Sequence, residues 1–330
     1  MNDILNMLCS IDAPSGNEDK LREFIISQIH DFATYNVDKK GNLIVYKKGV
    51  NKSTKKILID AHMDEVGIIV TCPTSDGFLK FKALGGIEPS VLLGSKVRFE
   101  NGAIGLIGVK PVHLLNNSEK DTLPKIEDMY IDVGSCNDLT RSIGLTGVII
   151  GDFYSNDDYI MSKALDDRVG VYTLIKLIQS NVKYDFYGVF STGEEIGSAN
   201  AACAALGVNP DFALILEGTT AGDLHDVSTE NEVCVLGEGP VISFMDGGTL
   251  YDKHLTEVLI NSGIKNQLKR KVAGGNNAAY IHKSGDGIPC CVISVGCRYI
   301  HSPSNVCSKS DLESAYKLAE YFIEYAGKNL

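Results

Sequence analysis

Four short apolar runs constrain this chain most: Ile57-Leu58-Ile59, Phe186 to Phe190, Phe212 to Leu216 and Cys290 to Val295. None of them alternates apolar with polar residues. Continuous runs of this length suit strands covered on both faces, at the centre of a sheet with helices on either side. Helical periodicities fall between several of the runs, as a parallel sheet requires. Leu21, Phe24, Ile25, Ile29 and Phe32 recur at helical spacing near the N-terminus. Val171, Leu174, Ile175 and Ile178 do so from about Arg168, and Leu312, Ala315, Tyr316, Ala319, Phe322 and Ile323 form a third stripe. All three read as helix faces packed on a core. Ser15 with Glu18, and Ser310 with Glu313, have the spacing of capping boxes that open the first and last of these helices.

The stretch from about Val66 to Asp157 is different. It is rich in glycine and β-branched residues and carries no long helical stripe. Val91 to Val97 and Ala103 to Val109 read as strands around the Asn101-Gly102 turn, a hairpin signal, and Gly144 to Gly151 adds another strand-like piece. The expected organisation is an α/β domain built from 1–65 and 158–330, interrupted by a small β domain over 66–157.

Polar residues cluster where the apolar runs end. His62 and Asp64 follow the first run, Glu194 and Glu195 the second, Glu217 ends the third, and His301 follows the fourth. Asp166 and Asp167 sit where the chain returns from the inserted segment. In open α/β sheets ligands bind beyond the carboxyl ends of the strands, so these groups are expected along one edge. A single His-x-Asp or Glu-Glu pair carries little weight, and the joint placement is what matters. Several carboxylates gathered at one apolar-walled site repel one another unless cations neutralise them. Imidazole plus carboxylate without a thiolate cluster suits catalytic Zn²⁺ or Co²⁺. Two such ions are a common hydrolytic arrangement: they polarise a carbonyl and activate a water, whose proton a nearby carboxylate takes. Glu194 and Glu195 could divide the roles of base and ligand.

Other classes are disfavoured. With 42 Asp+Glu against 31 Lys+Arg the net charge is -11, so the positive footprint of a nucleic-acid binder is missing. No apolar run is long enough to span a bilayer. The chain opens Met1-Asn2-Asp3 without a secretory pattern, and its nine cysteines are scattered, so a reducing, cytoplasmic setting is expected. Gly237-Glu238-Gly239-Pro240 and Gly285-Asp286-Gly287 lack the lysine of a phosphate loop and read as tight loops near the site edge. Ser191 lacks a nucleophile elbow. His113 and His225 read as non-ligands, and Cys297 as a small buried residue.

The chain resembles the cytoplasmic glutamyl- and tetrahedral-type metallo-aminopeptidases, whose relatives are also labelled deblocking aminopeptidases or endoglucanases. The resemblance runs through Ala13-Pro14-Ser15-Gly16-Asn17-Glu18, Ala61-His62-Met63-Asp64-Glu65-Val66-Gly67 and Lys110-Pro111-Val112-His113-Leu114. It continues in Lys163-Ala164-Leu165-Asp166-Asp167-Arg168, Glu194-Glu195-Ile196-Gly197, Gly239-Pro240 and Arg298-Tyr299-Ile300-His301-Ser302-Pro303. It implies a zinc-exopeptidase-like α/β fold, with a mostly parallel sheet between helices and a small β-barrel-like insertion that mediates dimerisation. Dimers would assemble into a tetrahedral dodecamer. It implies two divalent ions per subunit, Zn²⁺ or Co²⁺, with Asp166 bridging them, His62 and Glu217 completing one site, and Glu195 and His301 the other. Glu194 would be the general base, and Asp64 would hold His62 in its ligating orientation. A cis peptide is implied at Asp166-Asp167. Two departures stand out: Glu217 replaces the usual Asp, and Asn276-Asn277 replaces Thr-Asp.

The function so implied is metal-dependent removal of N-terminal residues from peptides. An amide hydrolase for non-peptide acylated substrates and a non-catalytic metal-binding assembly protein are the alternatives. A glycosidase fits less well, because paired-carboxylate glycosidases need no metal.

Overall fold

The computed structural model describes residues 2–134 and 142–330. Its large sheet is centred on four parallel strands in the order Phe186–Ser191, Ile57–His62, Phe212–Thr220, Cys290–Arg298. These are the four apolar runs. Antiparallel strands extend both edges: Leu43–Lys47 and Thr34–Val37 beyond the first, Asn305–Ser308, Tyr159–Ser162 and Tyr154–Ser155 beyond the last.

The reason for the unbroken apolar runs is visible in how they divide between two cores. Ile57, Ile59, Leu214, Leu216, Cys291 and Ile293 enter one core with helices Asn2–Ser10, Asp19–Ile29, Leu165–Gln179 and Lys309–Asn329. Their alternates Leu58, Ala213, Ile215, Cys290 and Val292 enter another core with helices Asn200–Val208 and Ala278–Ile281. A strand's period of two sends successive residues to opposite faces, and here both faces are apolar. Among the described residues no helix is long and apolar enough to cross a membrane.

Six strands close a barrel in the order Gly67–Pro73, Leu79–Leu84, Tyr130–Asp132, Ile104–Gly108, Lys96–Phe99, Thr146–Ile149. The Asn101-Gly102 hairpin is present, with Lys96 opposite Leu106. Residues 91–95 are not strand, however: Pro89–Leu92 forms a helical turn with proline in its first positions, where a missing N–H costs nothing. Neither capping box forms. Ser15 Oγ instead donates to Asp64 at 2.6 Å, and Glu18 accepts from the Gly16 N–H at 2.9 Å, so Asp19–Ile29 starts without a side-chain cap. The last helix starts at Lys309, one residue before Ser310, and also lacks a side-chain cap.

Candidate active site

His62 ends its strand with the imidazole wholly buried. Its Nε2 lies 3.3 Å from Asp166 Oδ1 and 3.2 Å from Glu217 Oε1, and its Nδ1 3.1 Å from the Asp64 carbonyl. The other oxygen of Asp166 faces His301: Oδ2 is 3.4 Å from Nε2, which is also 3.2 Å from Glu195 Oε2. His301 Nδ1 sits 2.8 Å from the Gly86 carbonyl, just past the barrel strand Leu79–Leu84. A carbonyl only accepts, so each Nδ1 carries a proton; each Nε2 faces the carboxylates, to which it donates in the protonated imidazole and beside which it can ligate a cation in the neutral one.

Asp166 therefore belongs to two groups, His62-Asp166-Glu217 and Asp166-Glu195-His301. It stands in the distorted first turn of Leu165–Gln179, after Ala164 at φ +56°, and its peptide to Asp167 is cis. Asp167 faces elsewhere. Its carboxylate accepts from the His62 N–H at 3.2 Å and the Gly170 N–H at 2.9 Å, so it holds the ends of the strand and helix that carry His62 and Asp166. Asp64 ties in a second strand end: it accepts from Ser15, from the Glu194 N–H at 3.0 Å and from the Glu195 N–H at 3.1 Å.

The electrostatics follow from burial. Desolvation and the Asp166 charge push Glu195 well above the ordinary carboxyl range; Glu217 rises likewise, against the pull of His62. Burial opposes ionisation of Asp166, but hydrogen bonds from His301 and His62 outweigh it and hold its pKa well below 3.8. Burial likewise opposes charge on His301, and Asp166 and Glu195 outweigh it, raising the group to about 9. Glu194 lies outside both groups but lines the same cavity of about 380 Å³, and desolvation raises it to about 7.

The residues fit divalent cations. Each group offers three N/O donors within 4.8 Å of one another. Glu195 Oε1 and Glu217 Oε2 are buried with no hydrogen-bond partner, which is costly unless a cation meets them. Glu217, longer than the Asp that the resemblance implies here, folds back far enough for its Oε1 to accept from the Gly218 N–H at 3.1 Å while it faces His62.

A profile of the M42 glutamyl aminopeptidase family matches residues 41–318. The chain belongs to that family. It is similar to an aminopeptidase from the archaeon Desulfurococcus kamchatkensis, at 32% identity and TM-score 0.90 over 98% of this chain and 94% of that one. It is similar to the TET1 peptidase of Pyrococcus horikoshii, described as assembling into a tetrahedron or a large octahedral shell, at 30% identity and TM-score 0.83 over 97% and 98% of the two chains. The lysyl aminopeptidase of Pyrococcus furiosus is 29% identical over 92% of this chain and 91% of that protein.

Within this M42 chain the two asparagines now have a physical account. Asn277 Nδ2 donates at 2.8 Å to both Asp60 Oδ2 and Ser191 Oγ. Burial raises the Asp60 pKa to about 6, so a second carboxylate at 277 would repel it where an amide donates. Asn276 Nδ2 donates to Tyr251 at 2.8 Å and lines the cavity. Cys297 is buried beside Cys307 on the adjoining strand. His113 and His225 are exposed and belong to neither donor group.

Neither glycine loop lines the cavity. Gly237 and Gly239 donate to Asp311 at the start of the last helix, at 2.7 and 2.8 Å, and Gly285–Gly287 closes a turn after Ala278–Ile281.

Sequence reasoning gave no role to the buried ions behind the site. Lys163 Nζ lies 2.7 and 2.6 Å from the Glu65 oxygens, and Arg168 donates to Glu65 at 3.2 Å, to the Leu8 carbonyl at 3.0 Å and to the Met63 carbonyl. The Lys163-to-Arg168 motif was visible, but its partners come from two stretches about 100 or more residues away, 8–12 and 63–65.

Proposed function

We propose that the protein is a dinuclear metal-dependent aminopeptidase that hydrolyses the first peptide bond of peptides. The observation that carries this is the sharing of Asp166 by two three-donor groups, with the carboxylate of Glu194 free beside them in one cavity. His62, Asp166 and Glu217 would hold one cation, and Asp166, Glu195 and His301 the other. Zn²⁺ or Co²⁺ suits this N/O donor set. When bound, such ions polarise a scissile carbonyl and lower the pKa of an attacking water.

The chain's own residues do the rest. Glu194 takes the water proton on its carboxylate and returns it to the departing amine. Burial supports this by holding its pKa above the ordinary carboxyl value, close to working pH. Asp64 fixes the Glu194-Glu195 backbone against the loop after His62, so base and ligands keep one geometry. The Asp64 and Gly86 carbonyls keep both imidazoles in the Nδ1–H tautomer, which leaves each Nε2 available as a donor.

We read 66–157 as the assembly domain of a homo-oligomer. Exposed apolar residues support this, among them Ile104, Leu106, Val112, Leu114 and Leu123. The described cysteines are all free, even Cys297 and Cys307, which lie side by side, and this supports a reducing, cytoplasmic setting.

The test is hydrolysis of aminoacyl p-nitroanilides with added Zn²⁺ or Co²⁺, before and after chelation. Glu194→Gln should keep its metal and lose roughly 10²–10⁴-fold in kcat, the range of general-base catalysis. Bound metal without turnover on any aminoacyl substrate would favour a binding role, and turnover of acylated amines alone would favour a non-peptide amidase.

A further inference from the structure

We infer that Tyr280 is a positioning residue for the reaction: from helix Ala278–Ile281 its hydroxyl clamps the loop that carries Glu194 and Glu195. This rests on the aminopeptidase reading and concerns how its base is held.

The loop needs support from outside. Strand Phe186–Ser191 ends, and the chain passes through a tight turn over 193–198 before helix Asn200–Val208 begins. Within the turn the Gly197 N–H donates to the Glu194 carbonyl at 2.7 Å, and the Ser198 N–H to the Gly193 carbonyl at 3.0 Å. Asp64 fixes the N–H groups of Glu194 and Glu195 from one side. Beyond Glu195 the turn is open: Ile196 is 51% exposed and Gly197 is exposed. Among the described residues, one group outside 192–198 hydrogen-bonds 196–198. It is the Tyr280 hydroxyl, which donates to the Gly197 carbonyl at 2.7 Å.

The helical turn that presents Tyr280 is firmly seated. Ala278 and Ile281 are wholly buried in the core they share with Asn200–Val208. Asn276 Oδ1 accepts from the Ala278 N–H at 2.9 Å while its Nδ2 holds Tyr251. Asn277 Nδ2 bonds Ser191 Oγ, on the residue from which the loop departs. Residues three apart lie on one side of a helical turn, so Asn277 and Tyr280 meet the loop together, at its root and at its tip.

This matters for Glu194 in particular. Glu194 belongs to neither donor group, so a cation held by those groups would leave its carboxylate unfixed. Its place is set by its main chain. Tyr280 reaches that main chain through a single residue: the hydroxyl holds the Gly197 carbonyl, and the Gly197 N–H holds the Glu194 carbonyl. Glu194, Gly197 and Tyr280 all line the cavity, so slack at the tip moves the base relative to the substrate.

The experiment compares wild type with Tyr280→Phe, which removes the hydroxyl and keeps the ring on the cavity wall. With metal loaded, kcat on aminoacyl p-nitroanilides should fall about 3- to 10-fold, the worth of one hydrogen bond, and KM should stay within about twofold. Combined with Glu194→Gln, the same change should cost nothing further, because the position of a base no longer matters once the base is gone. Deuterium uptake, read without turnover, should rise over 193–198 in the variant and stay as in wild type elsewhere. An unchanged kcat, a loss carried by KM alone, or the same factor of loss in the Glu194→Gln background would overturn the inference. If Tyr280→Phe loses its cooperative melt, wild type decides: its Gly197 and Ser198 amides should be protected, and exchange at the free-peptide rate overturns the clamp. No turnover by wild type on any aminoacyl substrate overturns the aminopeptidase reading and this inference with it, whereas turnover indifferent to the hydroxyl overturns only the inference.

Discussion

Adding one methyl group at Gly218 should impair the site without replacing any of its donor residues. A Cβ built there would lie 2.9 Å from Asp166 Oδ1 and 3.0 Å from both its Cβ and Cγ. Ordinary contacts need several tenths of an ångström more, so Asp166 must move. It has little freedom to do so, because Oδ1 faces His62 at 3.3 Å and Oδ2 faces His301 at 3.4 Å. Relief at one group therefore misplaces the other. Overpacking of this kind costs about 1–3 kcal/mol of stability. A displacement approaching 1 Å costs on the order of 10²-fold in rate, so Gly218→Ala should lose about 10- to 100-fold in kcat/KM. It should also bind Zn²⁺ or Co²⁺ more weakly in a calorimetric titration. Gly207→Ala is the control. That glycine lies in helix Asn200–Val208 with nothing within 4 Å of its built Cβ, so the change should stabilise by about 0.4–1 kcal/mol. If Gly218→Ala keeps wild-type melting, metal content and turnover, Asp166 is not held as tightly as argued, and its shared position loses its mechanical basis.

Two further outcomes concern the ions behind the site. Arg168→Met should cost about 3–5 kcal/mol in urea denaturation, because a fully buried guanidinium leaves Glu65 and three main-chain carbonyls short of a donor; a loss under 1 kcal/mol would mean those groups find other partners. Asp12 is buried enough to raise its pKa, but the hydrogen bonds from Arg98, at 2.5 and 3.0 Å, and the Lys163 ammonium outweigh this and hold it below 3.8. A lowered folded pKa stabilises above the unfolded value and loses that contribution as pH falls through the folded value. The stability gap between wild type and Arg98→Met should therefore be full near pH 7 and close below about pH 4. A gap constant from pH 7 to pH 3 would show that the pair contributes by packing alone.

Local sequence carried much of this architecture. The central strands were legible because each apolar run is unbroken, and the cores explain why: Ile57 and Ile59 go to one, Leu58 to the other. The Asn101-Gly102 hairpin was legible because its turn chemistry is local. The capping boxes failed for a tertiary reason. Ser15 has a stronger partner in Asp64, 49 residues away, than in the helix it precedes. Residues 91–95 misled because β-branching and apolarity do not distinguish a strand from the turn that Pro89 starts.

Strand-end placement alone was enough to nominate His62, Asp64, Glu194, Glu195, Glu217 and His301 along one edge, since a parallel sheet delivers its carboxyl ends to one side. Their division of labour was beyond it. Asp166 and Asp167 are neighbours of one type, yet one faces both histidines and the other turns back to hold a strand. Gly86 orients His301 from 215 residues away. Periodicity and turn chemistry act between neighbours in the chain, so the sequence by itself determined the elements and the edge at which they end. Which side chains face one another there depends on pairings closed over tens to hundreds of residues, and only the tertiary structure decided them.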